Sequence, residues 1–274
     1  ALPSPPAPPT PKGLGLGLGN TKKKAPESSE APAAASAPAL SPETLEMQAS
    51  ILAALANCVL SNPTCTEIIT NEEGVPKLVG SLESGAGNVR VLGRASLILS
   101  RLAKHLPALK QMRVYGGIAA LVNTANTART WKAIAPSDDP QQVQQEDEFR
   151  VQALEGATRA LAVIVNVAGE MGQDVGDAGG LKVLLEVAED SKSTDQLVGN
   201  AALCVGDCAK LDGVLEMLRK LDAVGKLIPV AHKRKGTAQK NAAIALARMS
   251  RHPPLLERLR ELHGIEIMHS YVKM

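Results

Sequence analysis

A short marker recurs five times in this chain. Glu73-Gly74-Val75, Gly116-Gly117-Ile118, Gly179-Gly180-Leu181, Asp222-Ala223-Val224 and His263-Gly264-Ile265 each set a small or polar residue before an aliphatic one. Their central residues lie 43, 63, 43 and 41 positions apart. Three intervals fit a period near 42 directly, and the 63 fits once about 21 residues between the second and third copies are set aside as an insertion. Residues 126–147, polar and Pro-containing, are expected to be that insertion, as a loop. A unit of this length cannot bury its apolar face alone, so it must stack on copies of itself.

Upstream of each marker runs a longer Ala/Leu stretch with helical periodicity: ILAALANCVL, RASLILSRLA, GATRALAVIVNVA, GNAALCVGDCA and KNAAIALARMS. Between stretch and marker lies a shorter amphipathic piece, as at 66–71 and 255–261. Long helix, short helix, sharp turn and a further helix, repeated at this spacing, are similar to armadillo repeats. The Gly pairs support that choice over a HEAT arrangement, because the turn needs a residue that accepts left-handed backbone angles. The expected fold is an all-α, right-handed α-solenoid of armadillo type, with about four to five repeats over residues 43–274. In the first stretch Leu45, Ile51, Leu52, Leu55 and Val59 form one broad apolar face, expected to cap the array or to pack on an upstream unit.

Composition agrees with this and removes alternatives. Only four residues are aromatic (Tyr115, Trp131, Phe149, Tyr271), which argues against β-sandwiches, barrels and base-stacking platforms. Ten of the 18 prolines fall in residues 1–42, a Pro/Ala/Gly/Ser-rich stretch with little to bury, expected to be a disordered linker. Within it, residues 13–19 (GLGLGLG) lack the Lys-Ser/Thr ending and the strand–helix setting of a phosphate loop. The chain opens on Ala1, as a processed product or a piece of a longer chain would. No apolar run is long enough to span a bilayer, and four cysteines are too few for a disulfide framework. A cytoplasmic protein is expected.

The net charge of +2 conceals an asymmetry. Residues 43–194 hold 13 basic and 18 acidic residues, whereas residues 195–274 hold 13 basic and 8 acidic. The basic C-terminal third is where an acidic partner would be sought first.

That third also carries the closest family resemblance. Leu197-Val198-Gly199-Asn200-Ala201-Ala202-Leu203-Cys204, Gln239-Lys240-Asn241-Ala242 and Leu259-Arg260-Glu261-Leu262-His263-Gly264-Ile265-Glu266-Ile267 resemble the C-terminal armadillo region of the tetratricopeptide repeat protein 12 family. The likeness is close over 195–273, and general armadillo similarity covers 43–190. It implies a non-enzymatic scaffold for cytoplasmic preassembly of axonemal dynein arms in motile cilia. The implied clients are dynein arm subunits or chaperone and assembly factors. The tetratricopeptide repeats that precede the armadillo region in that family have no counterpart in these residues. The alternative is a generic armadillo adaptor in ciliary trafficking or axoneme structure that binds acidic peptide segments.

Armadillo proteins hold extended peptides along their long helices with a ladder of Asn residues. Counting 17 residues back from each marker gives Asn57, Ser100, Val163, Gly206 and Ala247, and one Asn does not make a ladder. One turn further on lie Ser61, Lys104, Val167, Lys210 and Arg251, of which three are basic. With Arg159 and Lys240 nearby, the expected partner-binding concave face comprises Asn57, Ser100, Lys104, Arg159, Lys210, Lys240 and Arg251, a positive stripe suited to an acidic protein. No catalytic dyad, nucleophile elbow or metal-ligand spacing is found, and Cys204 and Cys208 are expected to be core residues. The expectation is therefore an interaction module without cofactor, metal, nucleic acid, membrane or small-molecule substrate. The runs Lys22-Lys23-Lys24 and Lys233-Arg234-Lys235 are expected to be solvated loops.

Overall fold

A computed structural model describes residues 40–131 and 139–266. The expected linker at 1–42 lies outside the described residues up to residue 39, as do residues 267–274. The described residues belong to one compact unit, Pro38–Met274.

Among the described residues the chain forms helices and no strands. Long α1 (Pro42–Cys58) is followed by short α2 (Pro63–Asn71), marker helix α3 (Gly74–Ser84) and long α4 (Val89–Leu102). The order then repeats: α5 (Leu106–Val114), α6 (Gly117–Thr130), α7 (Pro140–Val167); α8 (Met171–Asp177), α9 (Gly180–Glu189), α10 (Asp195–Cys208); α11 (Asp212–Lys220), α12 (Ala223–Lys233), α13 (Gly236–Met249); and α14 (Pro253–Glu261). Local chemistry sets the starts. Ser41, Asn62 and Asp139 each accept a backbone N–H with the side chain while proline takes the first turn, where its missing N–H costs nothing.

Each long helix packs on the next, α1 on α4, α4 on α7, α7 on α10 and α10 on α13. The marker helices stack alongside in the same order, α3 on α6, α6 on α9 and α9 on α12. The seams are lined by small side chains, including Ala95, Ala153, Ala157, Ala160, Ala201 and Ala242, all fully buried. Larger aliphatics such as Leu99, Leu121, Leu161, Ile164 and Leu184 fill the space between the two stacks. Each such side chain contributes roughly 1.5–3 kcal/mol by leaving water, so a core this poor in aromatics is stabilised through repetition.

Five turns adopt the left-handed backbone conformation at the head of the markers, four of them just before every third helix, α3, α6, α9 and α12. The residues are Glu73 (φ 56°), Gly116 (φ 72°), Gly179 (φ 78°), Asp222 (φ 49°) and His263 (φ 53°), the first residue of every marker. At Gly116 no atom lies within 4 Å of where a Cβ would stand, so a side chain there meets only backbone strain. Gly116→Ala is expected to cost about 1 kcal/mol, read as a melting temperature about 2–4 °C lower. An unchanged melt would mean that this turn is not held in the left-handed region.

Two expectations need correction. The loop expected over 126–147 does not hold at its two ends, because α6 continues to Thr130 and α7 begins at Pro140, while residues 132–138 lie outside the described residues. The inserted residues lengthen α7 to 28 residues, and Trp131 Nε1 donates to Glu146 Oε1 at 2.8 Å across the remaining connection. In α1, Ile51 was expected on the packed face but is 59% exposed, as is Met47 one turn before it, because α4 covers only the side carrying Ala49, Leu52 and Ala56.

Candidate interaction surface

The expected site residues separate into two groups. Ser100 near the end of α4, Lys104 just beyond it, and Arg159 on α7 line one groove of about 610 Å3. It is bounded by the end of α1, the start of α2 and the stacked helices α4 and α7. Val59, Leu60, Leu97 and Val163 supply its apolar lining, and Leu60 is 58% exposed there. Ser100 is buried and its hydroxyl donates to the Leu97 carbonyl at 2.7 Å, so it shapes the wall rather than offering a free donor. Asn57 is exposed on α1 and is not part of this lining.

The groove also contains Arg101, which the rung counting passed over. Its guanidinium donates to the Ala56 carbonyl, tying the end of α1 to α4. Burial first, and the nearby Arg159 charge second, push Arg101 below its usual range. Among the described residues, Arg101, Lys104 and Arg159 form no ion pair, and Glu67 is the one carboxylate in the lining. Three cations therefore share a half-apolar groove with little counter-charge.

At the C-terminal end the cations are engaged within the chain. Lys210 Nζ lies 2.7 Å from Asp207 Oδ1, and Arg248 Nη1 reaches the same oxygen at 2.7 Å. Arg251 bonds the carbonyls of Ala209 and Lys210 at the end of α10 and lies 3.2 Å from Asp212. Arg258 grips Asp222 through Nε and Nη2, and that hydrogen bonding holds the Asp222 carboxyl below its usual range. Arg234, in the run expected to be a solvated loop, bonds the carbonyls of Asp190, Ser191 and Ser193 and the Asp195 carboxylate. Lys240 is exposed on α13, apart from the groove. Lys226, Arg234, Arg248, Arg251 and Arg258 thus tie neighbouring repeats in the basic third, whereas the groove that gathers three cations without an ion pair sits in the acidic half of the sequence.

Cys204 and Cys208 are fully buried in α10; a hydrogen bond between them, then burial, hold the Cys204 thiol well above its usual range. No group of three or more His, Cys, Asp or Glu side chains arranged for a metal ion occurs among the described residues. No described helix is long and apolar enough to cross a membrane.

With this geometry in view, solved structures decide the architecture. A designed armadillo repeat protein in complex with the peptide (KR)4 superposes with a TM-score of 0.65 at 17% identity, covering 84% of this chain and 87% of that one. The fold is an armadillo-type α-solenoid. An engineered protein matches with a TM-score of 0.66 at 23% identity over 82% of this chain and 83% of its own. A computationally designed armadillo protein for modular peptide recognition matches with a TM-score of 0.59 at 17% identity, over 82% of this chain and 94% of its own. No family model matches the chain. Among curated proteins, human tetratricopeptide repeat protein 12 is 40% identical over 86 residues, 30% of this chain and 12% of the relative. The mouse protein of the same name is 38% identical over 96 residues, 34% of this chain and 13% of the relative. The chain thus carries an armadillo-type region like that of tetratricopeptide repeat protein 12, and the matches span about an eighth of those relatives' length.

Proposed function

We propose that this chain is a non-enzymatic protein-interaction scaffold for cytoplasmic preassembly of axonemal dynein arms, with dynein arm subunits or chaperone and assembly factors as clients. The observation that carries a binding role is the groove between α1, α4 and α7, where Arg101, Lys104 and Arg159 lack ion-pair partners beside an apolar lining. Charges held together without compensation repel one another, and a partner of opposite charge relieves that repulsion on docking. Similarity to tetratricopeptide repeat protein 12 supports the dynein-arm setting, and designed armadillo neighbours made for peptide recognition support a polypeptide ligand.

Affinity capture from ciliated-cell extract tests the reading. The wild-type chain is expected to retain dynein heavy chains or chaperones, and a Lys104→Glu/Arg159→Glu variant is expected to lose about 90% of that signal, in line with charge pairs at an interface worth one to a few kcal/mol. Both side chains are exposed, so the variant should melt as the wild type does. Recovery of mature axonemal or trafficking components alone would favour the generic adaptor and contradict the assembly role.

A further inference from the structure

The lining of the groove specifies more than a charge. Arg101 and Arg159 approach from different helices, α4 and α7, and each presents a planar fork of N–H donors suited to a carboxylate. Arg101 already gives one donor to the Ala56 carbonyl, which fixes the guanidinium in place while leaving the remaining donors to a ligand. Next to the pair lies an aliphatic surface made by Val59, Leu97 and Val163. None of the lining residues is Phe, Tyr or Trp, so the groove lacks the broad aromatic platform of single-strand binders. A volume of about 610 Å3 is that of a cleft for a few side chains, too small for a folded surface.

Building on the scaffold reading, we propose that the groove recognises a short acidic segment of a protein partner in which one or two carboxylates stand next to a bulky aliphatic residue. The carboxylate is shared by Arg101 and Arg159, Lys104 supplies the long-range attraction, and the aliphatic side chain is buried against Leu97 and Val163. Glu67, contributed by α2, disfavours a further acidic residue beside it and so orients the segment.

The test uses a fluorescein-labelled peptide with the core Leu-Glu-Glu-Leu, titrated against the whole chain and followed by fluorescence anisotropy. Saturable binding is expected, weakened about tenfold when Gln replaces Glu in the peptide or when the protein carries Arg159→Glu, and unchanged by Lys240→Glu. Replacing the peptide's Leu residues by Ala is expected to weaken binding about tenfold as well. Equal binding of the Gln or Ala peptides, or an Arg159→Glu variant that binds as the wild type does, would overturn the inference. So would binding of a phosphoserine peptide in the absence of binding by the Glu peptide, which would make the groove a phosphate site. If no acidic peptide binds while the wild-type chain, but not the Lys104→Glu/Arg159→Glu variant, still captures its clients from extract, this inference falls and the scaffold reading stands; if capture fails as well, both fall.

Discussion

Replacing Gly156 by Leu is expected to destabilise the chain by about 3 kcal/mol, the upper end of what overpacking a close-packed interior costs. Gly156 lies on α7 where it packs against α4. A Cβ there would stand 2.6 Å from Ser96 Oγ and 3.3 Å from both the Gly93 carbonyl oxygen and the Leu97 backbone nitrogen. Ser96 cannot simply turn aside, since it is fully buried and its hydroxyl is committed to the Leu92 and Gly93 carbonyls at 2.6 and 3.2 Å. Two backbones must therefore separate. Because each repeat is held chiefly by its neighbours, a fault at this seam is felt by the whole stack. The loss should lower the melting temperature by about 6–12 °C. The same separation pulls Arg101 away from Arg159, so binding at the groove should fall along with stability. A variant that melts as the wild type does would show that α4 and α7 are not in this close contact.

Arg248→Met is expected to cost about 2–3 kcal/mol, because it strands a carboxylate that folding has taken out of water. Asp207 is 1% exposed, and its Oδ1 accepts from Arg248 and from Lys210. Arg248 comes from α13, one repeat downstream, so the pair ties α10 to α13. Lys210 is half exposed and remains to offset part of the loss. Adding Asp207→Leu should recover most of the stability, bringing the double variant within about 1 kcal/mol of the wild type, since two well-packed apolar groups replace an ion pair at little cost. Urea denaturation of the two single variants and the double variant measures the coupling. If the double variant is as unstable as Arg248→Met alone, the carboxylate is not what makes Arg248 necessary.

Much of this architecture could be read from the sequence because repetition amplifies weak signals. A triplet such as Asp222-Ala223-Val224 says little alone, yet in register with four others it marked a turn, and all five first residues prove to be left-handed although only two are glycine. The segment after α6 shows where the reading misled. Its proline suggested a loop, but Asp139 before Pro140 is a helix start, the carboxylate accepting the Gln141 N–H at 2.9 Å while proline fills the first turn.

The groove was only partly legible, for a physical reason. Ser100, Lys104 and Arg159 followed from counting along each helix, but whether a cation is free depends on what the next repeat places beside it. Lys210 and Arg251 look like Lys104 in sequence and differ because Asp207 and Asp212 meet them. Arg101 was missed since its register, 16 residues before the marker, was not one of those counted. A signal was nonetheless present: the same register holds Asp207 and Arg248 in successive repeats, opposite charges 41 residues apart that a stacked solenoid must bring together. Comparing charges between equal registers of neighbouring repeats would have separated the engaged cations from the uncompensated ones.

Partners are proposed to enter the groove lined by α1, α4 and α7. A photo-crosslinking residue placed at Val163, in the apolar lining, tests this most directly, with the same residue at Lys240 as the outside reference. The expected result, after illumination of the chain bound to its captured client, is a crosslink from position 163 that an excess of the acidic peptide suppresses, and little or none from position 240. Crosslinks from position 240 with none from 163 would contradict the account.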